Sequence, residues 1–326
     1  MILPNFVKKR VLVTGGAGFI GSHLVDSLMP QNAEVKVIDN MSNGNARNLE
    51  KWLNNNRLNL LHQDLKDPKT AHDSVADTDV IFHFAANPDV RASEANPLTH
   101  FNENLIVTFN LLEAMRKSET AEIIIFASSS TIYGEATKVP TPEDYGPLLP
   151  ISVYGASKLG CESFIASYCY TYGLKSALLR FANVVGLRSN HGVIVDFIHK
   201  LTKNPKELEI LGDGNQAKSY LHIKDLISAL FVVFDNVGQS GSVEAYNVGS
   251  LDQISVKLIA QLVCEEMHLE KPEFKFNNLL GDGRGWKGDV KIMQLSVEKL
   301  MKLGWTPSMQ SEDAVRLCCK EMLNPT

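Results

Sequence analysis

The chain has 326 residues, enough for one large α/β unit or for two lobes that share a cleft. Its 44% hydrophobic and 21% charged residues are the composition of an ordinary globular protein and exclude a disordered or fibrous chain. With a formal net charge of -5 there is no broad basic surface for a nucleic-acid backbone, so an anionic ligand must be held locally.

The cysteines and the first residues indicate the compartment. None of the five cysteines forms a Cys-x-x-Cys pair, which favours buried thiols in a reducing cytosol over disulfides or a metal site. In MILPNFVKKR the basic residues follow a short apolar run, the reverse of a signal peptide. No apolar run approaches the length of about 20 residues that spans a bilayer. We therefore expect a cytoplasmic protein with neither a membrane nor a nucleic-acid partner.

The first half of the chain alternates β-branched apolar runs with stretches of helical pattern. The predicted strands are RVLVTG (10–15), EVKVID (34–39), DVIFHFA (79–85), EIIIFAS (122–128) and KSALLRF (175–181). Continuous apolar strands separated by helices predict a parallel sheet covered on both faces, with right-handed crossovers. The predicted fold class is α/β, with a doubly wound Rossmann sheet.

The pattern loosens after residue 182. Gly-rich stretches, LGDGNQ (211–216) and GDGRGWKGD (281–289), separate shorter elements there. We predict a first domain over 1–182 that binds a dinucleotide and a smaller lobe over 183–326 that mainly binds substrate, with some segments returning to the first domain. Ligands of open α/β sheets bind at the carboxyl edge, where such a lobe would close.

A glycine-rich loop leaves the first predicted strand and opens a helix. In VLVTGGAGFIGSHL, Gly15, Gly18 and Gly21 allow backbone N–H groups and the helix N-terminus to cradle a pyrophosphate. Asp39 ends the second strand, where an acid accepts hydrogen bonds from the adenine ribose. Because a carboxylate repels a 2'-phosphate, the combination predicts NAD rather than NADP. The alternative reading of Asp39 is a turn or cap acid, and Asp64 after a third strand is read either as facing the adenine edge or as a turn acid.

Two stretches place a tyrosine four residues before a lysine. The first, Tyr154–Lys158, opens a predicted helix directly after the strand that ends in SSSTIYG, at the carboxyl edge of the sheet. A free phenol has a pKa of about 10, and a nearby ammonium together with the positive nicotinamide stabilises its phenolate. Tyr154 is therefore predicted to be the base, with Ser129 bridging it to the substrate hydroxyl. The second match, Tyr220–Lys224, lies where a short strand runs into a helix and is interpreted as accidental.

Several motifs, taken in their order along the chain, resemble those of a known family. The motifs are the glycine loop, Asp39, HFAA (83–86), SSSTIYG, YGASK and RFANVVG. Together they resemble the extended short-chain dehydrogenase/reductase family, and within it the NAD-dependent sugar-nucleotide epimerases similar to UDP-glucose 4-epimerase. The resemblance covers nearly the whole chain. It implies NAD as the cofactor and Ser129, Tyr154 and Lys158 as the catalytic set.

The resemblance also implies a set of binding residues. The expected cofactor contacts are Gly15, Gly18, Phe19, Ile20, Gly21, Asp39, Asn40, Asp64, Leu65, Phe84, Ala85, Ala86, Asn104, Tyr154 and Lys158. The expected substrate contacts are Ser129, Asn183, Lys218 and Arg284. Lys218 stands where the family has a diphosphate-binding arginine; it keeps the charge but loses the bidentate fork. Pro88 stands where the best-known epimerases have a lysine, with Arg91 as a nearby cation.

The implied reaction is epimerisation at C4 of a nucleotide sugar, UDP-glucose or UDP-galactose, through a 4-keto sugar. The alternatives are another enzyme of the same family, such as a UDP-glucuronate decarboxylase or a nucleotide-sugar dehydratase, and a non-catalytic NAD-binding regulator. Dehydratases of the family carry acidic residues where this chain has Ser130 and Thr131, so elimination is not expected. The resemblance further implies a homodimer that pairs helices around 98–117 and 153–172.

Overall fold

The computed structural model describes residues 6–91, 95–238 and 243–324, and in these ranges the chain forms two compact units. The first comprises the residues up to Ser129 together with Ala156–Arg180 and Ile227–Tyr246. The second comprises Ser130–Gly155, Phe181–Leu226 and the residues from Asn247 onward. The units thus exchange segments along the chain. That one unit binds the cofactor and the other the substrate stays a prediction.

The first unit is built on a sheet that has seven strands within the described residues. In chain order they are β1 (Arg10–Thr14), β2 (Glu34–Asp39), β3 (Leu58–His62), β4 (Val80–His83), β5 (Ile123–Ser129), β6 (Lys175–Phe181) and, after four strands of the second unit, β11 (Val243–Val248). Their order across the sheet is β11-β6-β5-β4-β1-β2-β3, and the pairs β1–β2, β1–β4, β2–β3 and β4–β5 are parallel. The predicted Rossmann fold is confirmed.

The helices of the described residues are, in chain order, α1 (Phe19–Leu28), α2 (Pro68–Val75), α3 (Leu98–His100), α4 (Val107–Arg116), α5 (Val153–Tyr172), α6 (Val193–Lys203), α7 (Ile223–Asn236), α8 (Val256–Glu266), α9 (Glu298–Met301) and α10 (Ser311–Leu323). A π-helical turn, Phe101–Ile106, joins α3 to α4. α5 has the bounds that the sequence predicted. None of these helices combines the length and apolar character that crossing a membrane requires.

Both faces of the central sheet are covered by apolar side chains. On one face, Leu12 and Ile81 of the strands pack in a core with Leu111 of α4 and Ile165 of α5. Elsewhere in the same unit the ring of Phe82 lies 6.3 Å from those of Phe6 and Phe234. Since successive strand residues point to opposite faces, the neighbours Ile81 and Phe82 serve two different layers. Because both faces of the sheet are buried in this way, the strand sequences are apolar along most of their length.

The second unit has smaller sheets around a core of its own. Its strands are β7 (Asn183–Val185), β8 (Glu207–Leu211), β9 (Ala217–Lys218), β10 (Tyr220–His222), β12 (Ile254–Ser255), β13 (Glu273–Asn277) and β14 (Ile292–Met293). Strand β10 pairs with β7, β13 with β8, and β9 lies between β12 and β14. The core includes Phe197, Leu208, Ile259 and Val315, from α6, β8, α8 and α10.

Candidate active site

The glycine loop and the HFAA stretch meet in the first unit. Gly15 has φ +65°, and a Cβ at this position would lie 2.8 Å from the backbone nitrogen of Ala85 and 2.9 Å from the carbonyl carbon of Phe84. A side chain is therefore excluded both by the backbone conformation and by the space. The structure brings together two of the predicted cofactor-binding segments, the glycine loop and residues 84–86.

The same loop leads directly into the N-terminus of α1. Gly18 precedes the helix, and a Cβ at Gly21 would collide with the carbonyl oxygen of Gly15. Within the described residues no side chain caps α1, whose first turn contains Phe19, Ile20 and Gly21. An uncapped helix N-terminus behind a tight glycine turn presents N–H groups and a positive dipole end to an anion. These features fit the pyrophosphate of a dinucleotide.

Asp39 holds the loops around the end of β2. Its carboxylate accepts hydrogen bonds from Ala17 N (3.0 Å) and Met41 N (2.8 Å), and the residue is 7% exposed. Asp39 is thus a turn acid that also fastens the glycine loop to the second strand. Each carboxylate oxygen has a further lone pair, so these bonds leave acceptor capacity for ribose hydroxyls. Its role in ribose binding stays a prediction.

The next strand end supplies Asp64 and Leu65. The side chain of Asn40 donates to the Asp64 carboxylate at 3.1 Å, so these two predicted cofactor contacts lie together. Leu65 is 4% exposed and belongs to the core, and its carbonyl accepts from the Asn110 side chain at 3.0 Å. The backbone of this loop is therefore tied to α4.

Lys158 is a buried cation of the first unit. Its Nζ donates to the carbonyl oxygen of Ala127 at 2.7 Å and lies 4.8 Å from the centre of the Phe126 ring, and the residue is 3% exposed. Burial lowers the pKa of Lys158 from 10.5 to about 8. Near neutral pH the ammonium still predominates and can stabilise a negative charge in its surroundings.

The start of α5, which carries Tyr154, is fixed by close backbone contacts within the second unit. A Cβ at Gly155 would lie 2.7 Å from the carbonyl oxygen of Thr131. Gly134 has φ +61°, and a Cβ there would collide with the carbonyl oxygen of Leu149. The turn after β5 is thus packed tightly against the segment that enters the helix, and small residues are needed at both places. Tyr154 itself is partly exposed.

The second Tyr-x-x-x-Lys match has a different local structure. Tyr220 belongs to strand β10, whereas Lys224 lies in α7, so the two residues do not share a helix face. Tyr220 is 5% exposed, and Lys224 pairs with Glu321 at 3.1 Å. By contrast, Tyr154 and Lys158 are one turn apart in α5.

Asn104 lies in the π-helical turn of the first unit and is 1% exposed. Its Oδ1 accepts from the backbone N–H of Asn87 (2.8 Å), and its Nδ2 donates to Ser157 Oγ (2.9 Å). Asn104 therefore joins the segment after HFAA to α5, next to Lys158. Single π turns are frequent at functional sites, and nothing in the helical pattern of residues 98–117 predicts this one.

The two cationic side chains predicted to bind the substrate lie in the second unit and are paired with carboxylates. Lys218 Nζ lies 2.5 Å from Asp289 Oδ1. Arg284 pairs with Glu135 and with Asp282, and its Nε donates to the carbonyl oxygen of Asp289 at 3.0 Å. Both cations therefore lie beside Asp289 in one charge cluster, whose three carboxylates were not anticipated. That Lys218 and Arg284 bind the sugar diphosphate stays a prediction.

The remaining predicted residues have separate positions. Asn183 lies on β7, and its Nδ2 donates to the carbonyl oxygen of Ser219 at 3.2 Å. Ser129 ends β5, and Arg91 is exposed beside Asp89. The grouping of Ser129, Tyr154 and Lys158 as one catalytic set stays a prediction.

The chain is similar to known proteins both in sequence and in fold. Residues 11–249 match the sequence model of the NAD dependent epimerase/dehydratase family. The crystal structure of a UDP-galactose 4-epimerase is 44% identical, with a TM-score of 0.84 over 96% of this chain and 98% of that one. A UDP-glucose 4-epimerase from Thermotoga maritima, solved with UDP-glucose, is 31% identical, with a TM-score of 0.84 over 96% and 98%. UDP-glucuronic acid decarboxylase 1 of Danio rerio is 28% identical over 94% of this chain and 71% of its own length.

The Rossmann sheet, the glycine turn and these relatives define an NAD-dependent enzyme that acts on nucleotide sugars, within the extended short-chain dehydrogenase/reductases. The chain belongs to the NAD-dependent epimerase/dehydratase family, and NAD is its cofactor. The family that the sequence motifs implied is confirmed.

Proposed function

We propose that the protein interconverts the C4 epimers of a UDP-sugar, with UDP-glucose and UDP-galactose as the expected pair. The observation that carries the proposal is the buried ammonium of Lys158, one helical turn beyond Tyr154. A cation so close along the helix favours ionisation of the phenol and hence its use as a base. The two epimerase structures similar to this chain support the choice of sugar.

In the proposed reaction Tyr154 removes the proton of the C4 hydroxyl, with Ser129 bridging the two oxygens. The chemistry that bound NAD would supply is reversible hydride transfer at C4 of the sugar. Tyr154 returns the proton after the 4-keto sugar has turned its other face to the cofactor. Lys158 keeps a positive charge near the phenol in both half-reactions. The cofactor would be held by the glycine loop, Asp39 and residues 84–86.

The sugar diphosphate would be held by Lys218 and Arg284, with Asn183 on the nucleotide sugar. Since both cations are paired with carboxylates, we infer that the diphosphate exchanges with these carboxylates on binding. A lysine contributes one charge without a bidentate fork, so Arg284 would give the directional contact.

The alternatives differ in the groups that they require. A dehydratase needs an acid and a base beside the tyrosine for elimination, and the two positions after Ser129 are Ser130 and Thr131. The similarity to a decarboxylase keeps that enzyme as the second candidate. A non-catalytic NAD-binding regulator would have no use for the buried charge of Lys158, which costs folding free energy.

We also propose that the protein is a cytoplasmic homodimer. The expected helices expose large aromatic side chains: Phe101 is 48%, Phe109 37% and Phe164 39% exposed. Such residues on neighbouring helices are typical of a surface covered by a partner. The five cysteines are free and buried, in keeping with a reducing compartment.

The catalytic role is tested by a matched pair of substitutions. Tyr154→Phe removes the phenol oxygen and keeps the ring, so epimerase turnover should fall by roughly 10² or more at nearly unchanged affinity for UDP-glucose. Tyr220→Phe makes the same chemical change in the second match and should leave turnover close to that of the wild type. Wild-type turnover in Tyr154→Phe would refute the mechanism.

A further inference from the structure

His83, on strand β4, is a buried histidine for which the proposed reaction has no use. The residue is 1% exposed, and both ring nitrogens have partners: Nδ1 lies 2.7 Å from Thr14 Oγ1 and Nε2 3.0 Å from Thr108 Oγ1. Burial, with a smaller effect of the Lys158 charge, lowers the pKa of His83 to about 3. A histidine that stays neutral, with both nitrogens engaged, is not a proton-transfer group at physiological pH. Its role must come from its hydrogen bonds.

The directions of these bonds can be assigned. Thr108 donates its hydroxyl proton to the carbonyl oxygen of Asn104 at 2.7 Å, so it must accept from Nε2–H of His83. Nδ1 is then the acceptor and receives the hydroxyl proton of Thr14. Thr14 Oγ1 accepts in turn from the backbone N–H of Ala85 at 3.1 Å. Only one neutral tautomer satisfies this chain of four hydrogen bonds.

The chain joins two segments that matter for the cofactor. At one end is Ala85, in the loop that packs against Gly15. At the other end is Asn104, whose side chain bonds to Ser157 of α5, next to Lys158. Every member lies in the first unit. The imidazole therefore sets the spacing between the glycine-loop side of the site and the helix that carries Lys158.

We propose that His83 is a positioning residue for NAD: through Thr14 and Thr108 its neutral imidazole fixes the loop at Ala85 relative to the turn at Asn104. The inference rests on the proposed cofactor contacts of these segments and does not depend on which sugar is the substrate. A displaced loop would lose contacts with the dinucleotide, whereas a purely structural histidine would affect stability alone. NAD affinity is thus the property that distinguishes the two roles.

The first test compares two replacements of the ring. His83→Gln keeps one acceptor and one donor, so its NAD dissociation constant, measured by titration calorimetry, should stay within about threefold of the wild type. His83→Phe has a similar shape and neither group, and should bind NAD about tenfold more weakly. Thermal unfolding of each variant shows that the folded protein is compared. Equal NAD affinity for His83→Phe and the wild type would overturn the proposal.

A double-mutant cycle tests whether the effect passes through the ring. Thr14→Val and Thr108→Val each remove one hydroxyl on opposite sides of His83, and each should weaken NAD binding about tenfold, with the serine variants restoring it. Because both act through one imidazole, the double variant should be far less than a hundredfold weaker. A full hundredfold loss would mean independent effects and would contradict the chain. A wild-type protein that binds NAD but leaves UDP-glucose unconverted would count against the proposed reaction instead, so the two failures are distinguishable.

Discussion

At the scale of single residues, the buried charge of Lys158 costs folding free energy and has a proposed role in catalysis. Its ammonium is held in an almost solvent-free part of the first unit, with the Ala127 carbonyl as its hydrogen-bond partner. Burial of a charge is unfavourable even where hydrogen bonds compensate part of the lost hydration. The same burial lowers the pKa of Lys158 to about 8, and the proposed role of its ammonium beside Tyr154 is the reason to retain the charge.

The penalty gives a pH-dependent prediction. Below about pH 8 Lys158 is protonated in both the folded and the unfolded chain, and its burial lowers the free energy of unfolding in full. Between a folded pKa of about 8 and the ordinary 10.5, the unfolded chain binds more protons at this group, so stability rises with pH. Lys158→Met should therefore be inactive, yet more stable than the wild type by about 1–2 kcal/mol near pH 7 in urea unfolding. The difference should shrink towards pH 10.

Lys224→Met is the control for this experiment. The Lys224 side chain is 63% exposed and pairs with Glu321, an arrangement that contributes about 0–1 kcal/mol at most. Its loss should leave turnover intact and should not stabilise the protein. A Lys158→Met variant that is less stable than the wild type at every pH would show that burial of the Lys158 charge does not destabilise the folded protein.

Asp39 has a structural and a proposed binding role, which a conservative change separates. Asp39→Asn keeps an acceptor for one of the N–H groups of Ala17 and Met41 but removes the charge that repels a 2'-phosphate. We expect NAD to bind about tenfold more weakly, with NADP gaining relative to NAD in fluorescence titrations. Asp39→Ala should add a loss of stability, since both backbone donors lose their partner. A wild type that prefers NADP would contradict the ribose assignment.

At the scale of elements, α5 is joined to the sheet by a buried ion pair within the first unit. Arg180 of β6 donates from Nε (3.1 Å) and from an Nη (2.8 Å) to the two carboxylate oxygens of Glu162 on α5. The side chains are 8% and 5% exposed. A bidentate contact fixes both the distance and the rotation of the helix, which carries Lys158 one turn before Glu162.

Breaking this pair should be costly. Glu162→Gln removes the negative charge that faces the buried Arg180 guanidinium, so the free energy of unfolding should fall by about 3 kcal/mol in urea unfolding. Glu122→Gln is the matched control, because Glu122 pairs at 3.3 Å with Lys175, which lies on β6 like Arg180. This pair is solvent-exposed: the side chain of Glu122 is 63% and that of Lys175 42% exposed. That change should cost less than about 1 kcal/mol. Equal effects of the two substitutions would show that the buried pair does not anchor the helix.

At the scale of the whole molecule, the helices and strands were more predictable from the sequence than the contacts between residues that are far apart in it. Strands 34–39 and 175–181 and helix 153–172 have the predicted bounds, since apolar periodicity and turn residues are local signals. The pairing of Arg284 with Glu135, the carboxylates around Lys218 and the bridge from Thr14 through His83 to Thr108 join residues far apart in the sequence. In the HFAA motif the predicted cofactor contacts were Phe84 and the two alanines, whereas the buried hydrogen bonds to Thr14 and Thr108 are made by its histidine. The exchange of segments 130–155 and 227–246 between the units also depends on long-range packing, which one sequence does not reveal.

The most direct measurement for the whole protein is the product of its reaction. UDP-glucose incubated with the purified enzyme and NAD should give, by NMR, a mixture of the two C4 epimers, and the absorbance of the solution should show no net formation of NADH. Because Ser130 and Thr131 supply no acid or base for elimination, no 4-keto-6-deoxy sugar should form. UDP-glucuronate in a parallel sample tests the decarboxylase alternative. Epimers without NADH are the predicted result; a 4-keto-6-deoxy sugar, a pentose from UDP-glucuronate or stoichiometric NADH as the main product would contradict the epimerase.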